Sequence, residues 1–419
     1  MHASSTFLSR RGLAGLLLGA ALFVAAPGGA QPRGGASDSP AELQAWLANR
    51  YAPGSLITTV TGELGTPFDC VVRAMQPALR RPDGTFRPIA SPPGQPDGGT
   101  LPKLSAGEAV AQHESVACPQ GTVPMAHVDL ETLLRFGSLQ AFFAKHPGAQ
   151  GEAGLDAGEA DASRRVGSTA THQYAKVDQY VANWGGDAVF NLWNPYVERD
   201  SEFSLSQLWV VRGSGSDKQT LEAGWQDYYD LYSSHQPKLF VYSTQDGYGS
   251  TGCYNGTCGD FVQYSGTIAP TIGWTVHSSD GGTQYVIQLR WQRDDSNDNW
   301  WLMYGTTWVG YYPGSLYDSA GVRNEAARVS YGGEIIDDDS VDHTRTDMGS
   351  GGFPAAGWQH TAYTRTLRTI STSNTWQAAS SASEYRTDSY CYDVDLSSSA
   401  GTWANYFYFG GEGYGTNCQ

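Results

Sequence analysis

TLEAGWQDYYDLYSSHQPKLFVYSTQDGYGSTGCYNGTCGDFVQ, residues 220 to 263, is answered further along the chain by VSYGGEIIDD, residues 329 to 338. Each stretch sets one glutamate, Glu222 or Glu334, beside glycine in an apolar and aromatic run that reads as a β-strand. Successive side chains of a strand point to opposite faces, so a carboxylate where the alternation calls for a sheltered side chain is costly unless it has work to do. A sheltered carboxylate pair is the first chemistry these two strands suggest.

Outward from them the pattern continues. AVFNLWNPYV (188 to 197), FSLSQLWVVRG (203 to 213), KLFVYST (238 to 244), TQYVIQLRWQR (283 to 293), NWWLMYG (299 to 305), TWVGYYP (307 to 313), ARVSYGGEII (327 to 336) and NYFYFGG (405 to 411) are short, rich in β-branched and aromatic residues, and separated by Gly, Asn, Asp and Pro. No comparable stretch in this half keeps a helical period. Many short strands over about 250 residues predict a mainly β chain, an antiparallel β-sandwich. No internal repeat is present.

The region before it reads differently. Ser39-Pro40-Ala41-Glu42 combines a helix N-cap, a first-turn proline and a capping-box glutamate, then places Leu43, Trp46, Leu47 and Tyr51 on one face. HVDLETLLRFGSLQAFFAKH (127 to 146) predicts a second helix, or two broken at Gly137 and Ser138, ended by Pro147-Gly148. With strand-like pieces such as FDCVVRAM between them, residues 31 to 147 are expected to form a small α+β domain. Residues 148 to 171 lack apolar periodicity and read as a flexible linker, leaving 172 to 419 for the sandwich.

At the N-terminus, SRRGLAG precedes the apolar run LLLGAALFVAA and a small-residue exit ending at Ala30, so residues 1 to 30 are expected to be an export signal. Arg10 and Arg11 with Leu13 resemble a twin-arginine signal, and they equally fit an ordinary charged start. No second apolar run reaches the roughly 18 residues of a membrane span, so a secreted or periplasmic protein is expected. Residues 166 to 419 hold 28 Asp and Glu against 13 Lys and Arg, out of a chain total of 42 against 26. Acidity of that degree argues against nucleic acid or anionic lipid as a partner.

Six cysteines in an exported chain predict disulfides. Spacing favours Cys70 with Cys118, Cys253 with Cys258 around a tight YNGT loop, and Cys391 with Cys418. Bonds confined in this way within each half would let the halves part after a cut between them.

The chain has no GxSxG, no HExxH, no Cys-His metal spacing and no glycine-rich phosphate loop. DDSNDN (294 to 299) and IIDDDSVD (335 to 342) cluster oxygen ligands that suit a hard cation, but solvated turns carry such runs more often, and no metal or cofactor is expected. Asn255-Gly256-Thr257 matches a glycosylation sequon inside a short loop where a turn is the simpler reading.

Nearly the whole exported chain resembles the neprosin family of glutamic peptidases. FDCVVRAMQPAL (68 to 79) and CPQGTVPM (118 to 125) look like the family's propeptide signatures. FNLWNP (190 to 195), FSLSQLWV (203 to 210), EAGWQ (222 to 226), DGYGSTGCYNGTC (246 to 258), WWL (300 to 302), GYYP (310 to 313), GGE (332 to 334) and MGSG (348 to 351) then occur in the family's order. The resemblance implies a zymogen whose α+β propeptide covers and inhibits a β-sandwich endopeptidase. That enzyme would cut proteins or peptides after proline at acid pH, with Glu222 and Glu334 as the catalytic pair. Asp-Tyr-Tyr-Asp after Gln226 and Tyr-Ser-Thr at 242 to 244 depart from the plant members near the glutamates, which bears on proline preference more than on catalysis.

Two carboxyl groups sharing one site cannot easily both ionise, so one keeps its proton while the other accepts one. The ionised member would take a proton from an attacking water and the protonated member would polarise the carbonyl or protonate the leaving nitrogen. The residues leave open which glutamate does which. Gln226, on the strand face of Glu222, is expected to support the site; Trp225 faces the other way. Tyr248, Asn299 and Tyr331 are candidate cleft donors or surfaces for proline. Two other classes remain open on these residues: a β-sandwich glycoside hydrolase, which also works through paired carboxylates, and a non-catalytic carbohydrate- or cell-wall-binding protein with an aromatic platform.

Overall fold

The computed structural model describes residues 37–98, 102–145, 170–338 and 342–419. The expected export signal lies outside these residues, as does nearly all of the expected linker.

Two antiparallel sheets stack face to face. The smaller has six strands in the spatial order Ser383–Arg386, Thr171–Asn183, Ala326–Asp337, Phe203–Arg212, Gln219–Tyr228, Lys238–Thr244. The larger runs from Val262–Gln263 through Thr307–Tyr312, Trp300–Tyr304, Gln284–Arg293, Gly185–Asn191, Ala362–Ile370 and Asn405–Gly410 to Asp393–Ser398. The alternation that identifies the strands also explains the stacking. Leu208, Val210, Leu221, Ala223, Trp225, Leu239, Val241, Val329 and Tyr331 project from one face of the six-stranded sheet and meet Ala188, Phe190, Leu289, Trp291 and Leu302 of the other in one core. The chain is thus mainly β, an antiparallel sandwich.

Two strands do not stand out in the sequence. Thr171–Asn183 begins inside the stretch read as linker and carries Lys176 and Asp178, whose side chains pair with each other at 3.0 Å. Ala362–Ile370 carries Arg365, buried against Glu108 at 2.5 Å, and Arg368, half-buried against Asp187 at 2.6 Å. In both, charges that find a partner, within the strand in the first and remote in sequence in the second, disguise the period of two.

Residues 37–145 form an N-terminal unit. The helix Pro40–Asn49 starts on the expected capping box, with Ser39 Oγ accepting from Glu42 N and the Glu42 carboxylate accepting from Ser39 N. Leu130–Phe136 ends at Gly137, whose φ of 69° is the left-handed turn that glycine tolerates, and Leu139–Phe143 follows after the Ser138 cap. These helices pack on one another through Leu43, Val128, Leu133 and Phe142, beside a three-stranded sheet of Leu56–Thr61, Pro67–Val72 and Thr122–Ala126. The structure pairs Cys70 with Cys118, Cys253 with Cys258 and Cys391 with Cys418.

The unit is joined to the sandwich by backbone and charge together. Glu108–Val110 adds a parallel strand beside Gln284–Arg293. Glu108 there accepts two hydrogen bonds from Arg365, at 2.7 and 2.5 Å, and one from Tyr363 at 2.8 Å. Glu114 accepts from Gly273 N at 2.7 Å and lies 3.7 Å from Lys238 Nζ. Glu108, Glu114 and both cations are buried, where a carboxylate persists only with such partners.

Candidate active site

The face of the six-stranded sheet turned away from the sandwich core holds both glutamates. Register sets Glu222 opposite Trp209 and Tyr242, and Glu334 opposite Leu205 and Tyr174. Between their strands lies Gln207, opposite Gly224 on one side and Gly332 on the other. A Cβ on Gly224 would lie 2.0 Å from Ser206 O and 2.8 Å from Gln207 Cβ. The missing side chain at Gly224 therefore gives Gln207 room, and Gln207 donates to Glu334 Oε2 at 2.8 Å.

Each carboxylate is fully buried, and one oxygen of each is held by its own sheet. Glu222 Oε1 accepts from Thr220 Oγ1 at 2.8 Å and from the Tyr248 hydroxyl at 2.6 Å. Tyr248 is brought there by the DGYGSTG turn, where Asp246 accepts from Gly249 N and Ser250 N and the tyrosine itself takes a φ of 63°. Glu334 Oε1 lies 2.6 Å from His172 Nδ1, supplied by the strand Thr171–Asn183.

The remaining oxygens meet a single cation. Lys145, the last described residue before position 170, places Nζ 2.9 Å from Glu222 Oε2 and 2.8 Å from Glu334 Oε2. The two oxygens are then no farther apart than the sum of those lengths, within the roughly 5 to 6 Å that one water bonded to both can span. Lys145 is itself only 4% exposed. Around the group, Phe203, Tyr228, Phe240, Tyr242, Tyr254 and Ile336 make an aromatic floor that Phe136 of the N-terminal unit covers.

Of the residues singled out in the sequence, Glu222, Glu334 and Tyr248 come together. Gln226 shares their face but touches neither glutamate: its amide binds the hydroxyls of Tyr254, at 3.2 Å, and Tyr232, at 3.0 Å. Tyr331 lies three positions from Glu334, and that odd spacing turns its ring into the core between the sheets, where its hydroxyl donates to Arg368 O. Asn299 lies in the turn before Trp300–Tyr304 and accepts from Gly314 N at 3.0 Å, so its side chain serves that turn. Neither is placed beside the glutamates.

Lys145, His172, Gln207 and Thr220 are additional to those candidates. Gln207 and Thr220 had a local signal, since each is a polar residue in phase with the glutamate face; Lys145 and His172 had none. For a cation, the acidic run at 294 to 299 offers little: Asp298 is paired with Arg293 and Arg323, and Asp294 caps Ser296 and Asn297. The described groups of His, Cys and Asp near ligand spacing rest on cysteines already joined as disulfides. No described helix is long and apolar enough to cross a membrane.

A family model described as Neprosin matches residues 200–412, more than half of the chain and including both glutamates. Among solved structures, scytalido-glutamic peptidase with a transition state analog inhibitor aligns over 58% of this chain and 99% of that one, at 10% identity and a TM-score of 0.32. SCP-B, a member of the eqolisin family of peptidases in complex with the tripeptide Ala-Ile-His, aligns over 58% of this chain and 98% of that one, at 8% identity and a TM-score of 0.29.

Proposed function

This chain belongs to the neprosin family of glutamic peptidases, and on that premise we propose that it is an exported endopeptidase made as a zymogen, in which Glu222 and Glu334 together activate a water molecule. The observation that carries the reading is the pair of buried carboxylates bridged by one ammonium. Two strands converge two negative groups where water is excluded, an arrangement a fold does not need for stability.

With Lys145 withdrawn, the pair is left close enough for one water to bridge it while one member keeps its proton. A water between them loses a proton to the ionised member as it attacks the peptide carbonyl, and the protonated member donates to the carbonyl oxygen or to the departing nitrogen. Gln207 and His172 fix the orientation of Glu334, and Thr220 with Tyr248 fixes that of Glu222. The aromatic floor supports a preference for proline, whose flat apolar ring packs on such faces.

Residues 31 to 147 act in this reading as the propeptide, and the activating cut falls between 148 and 171. Release by acid is part of this reading, and it is supported by a contact between the two parts that is built on carboxylates, Glu222, Glu334, Glu108 and Glu114, each facing a cation across it. Incubation of purified protein with proline-containing peptides at about pH 3 to 5, read by mass spectrometry, tests the reading. Cleavage on the carboxyl side of proline after an N-terminal fragment has been lost is the expected result. Intact peptides in the presence of the processed protein would overturn it.

A further inference from the structure

The N-terminal unit does more at the site than deliver an ammonium. After the helix Leu139–Phe143 the chain turns extended at Ala144, with ψ of 148°, and crosses the glutamate face. Two tyrosines of the sandwich receive its backbone. The Tyr242 hydroxyl donates to Phe143 O at 3.3 Å and the Tyr254 hydroxyl donates to Lys145 O at 2.9 Å. Carbonyls two residues apart are thus held by two phenols while the Lys145 side chain reaches both carboxylates.

The Tyr254 phenol is aimed by a one-way series of hydrogen bonds. Asn255 Nδ2 donates to the Tyr232 oxygen at 3.4 Å, and the Tyr232 hydroxyl donates to Gln226 Oε1 at 3.0 Å. Gln226 Nε2 then donates to the Tyr254 oxygen at 3.2 Å. Because that oxygen is already accepting, its one hydrogen is directed outward, and each bond in such a series strengthens the next. Burial raises the Tyr254 phenol well above its ordinary value, so it stays a donor. A donor fixed before its acceptor arrives is what main-chain recognition beside a reacting bond requires.

We propose that Tyr254 and Tyr242 are the main-chain anchors of the substrate track: once the N-terminal unit has left, they bind polypeptide carbonyls where Lys145 and Phe143 carbonyls now lie, and Gln226 is the positioning residue that aims Tyr254. The proposal rests on the peptidase reading of the glutamate pair. Phe143-Ala144-Lys145 is then a segment held in the track as a substrate would be.

The test compares two ligands on the processed enzyme by calorimetry. One is the peptide amide of residues Ser138 to Lys145; the other ends in 1,5-diaminopentane in place of Lys145, keeping the ammonium and lacking the carbonyl. The amide should bind about tenfold more tightly to the wild type, the scale of one well-made hydrogen bond. That preference should vanish in Tyr254→Phe and shrink in Gln226→Leu, while Tyr254→Phe raises KM for a proline-containing substrate. The ligand comparison on the wild type needs no variant to fold. Equal binding of the two ligands, or no binding of either, by an enzyme that turns over peptides would sink the proposal alone. A carbonyl preference in a processed protein with no turnover would sink the peptidase reading and leave a peptide-binding track.

Discussion

Lys145 stands 2.8 Å from Glu334, joining the end of the N-terminal unit to the central strand region of the sandwich across a sequence separation of 189. With Glu222 on its other side, the ammonium meets both buried carboxylates at once. Neutral Lys145→Met fills the same space and removes the charge. Two carboxylates that lose the ammonium between them repel each other more strongly, and the covering unit loses that anchor. The full-length variant is expected to show peptidase activity at a pH where the wild type is latent, and to lose its N-terminal fragment sooner in a time course on a gel. Latency equal to the wild type's would assign inhibition to the covering helices instead.

Glu222→Gln and Glu334→Gln preserve shape and remove the exchangeable proton. Each is expected to retain less than about a tenth of wild-type kcat with circular dichroism unchanged, and the double variant should lose little more, because the pair acts as a unit. A correctly folded single variant with substantial activity would show that one carboxylate suffices.

Inside the N-terminal unit, Asp69 accepts from His127 Nδ1 at 2.7 Å, Thr59 at 2.8 Å and Tyr51 at 2.9 Å, with Arg50 at 3.5 Å. Burial pushes its carboxyl up, but His127, Arg50 and Thr59 outweigh burial and hold it below its ordinary value; the same hydrogen bond raises His127. A carboxyl with a depressed folded value stabilises above its unfolded value of about 3.9 and loses that contribution as pH falls through the folded value. A raised imidazole contributes below its unfolded value and loses the contribution as pH rises through the folded one. The unit is therefore held best between the two and loosens in acid. In Asp69→Asn, hydrogen exchange over residues 37 to 145 should be faster at neutral pH and should accelerate less on acidification below about pH 4. An acid profile parallel to the wild type's would move the trigger elsewhere.

The sandwich carries the opposite bias. Burial pushes Asp227 and Asp260 up to about 7 and Asp347 up to about 6, and it also raises Glu202. Raised carboxyls stabilise most at low pH, and that contribution is lost as pH rises through the folded values. The Tm of the processed sandwich is expected to be higher at about pH 5 than at about pH 8, with a smaller difference in Asp260→Asn. A Tm that falls steadily over that range of acidification would contradict the assignment.

The sandwich was legible because its strands alternate aromatic and β-branched residues with polar ones, and the glutamates stood out as charges flanked by glycine on that background. The glycines proved informative for a reason the pattern alone does not contain: Gly224 and Gly332 lie on either side of Gln207 across the sheet. Lys145 was not legible. A lysine ending AFFAK reads as a cation suited to a helix C-terminus, and only the chain's return brings two glutamates to it. His172 was hidden by the charges of its strand, and Tyr331 was misplaced because closeness in sequence to Glu334 does not mean a shared face.

The segment between Lys145 and His172 begins and ends on the same carboxylate, Glu334, at 2.8 and 2.6 Å. A cut within it leaves the contacts of Lys145 and of His172 to Glu334 in place. On the zymogen reading, what it changes is the local concentration of Lys145: tethered, it is present at about millimolar effective concentration whatever the dilution, whereas after the cut it must compete at its bulk concentration. Scission alone would then leave the site covered at high protein concentration and open it once the two fragments are dispersed, so activity per molecule is expected to rise as the cut protein is diluted.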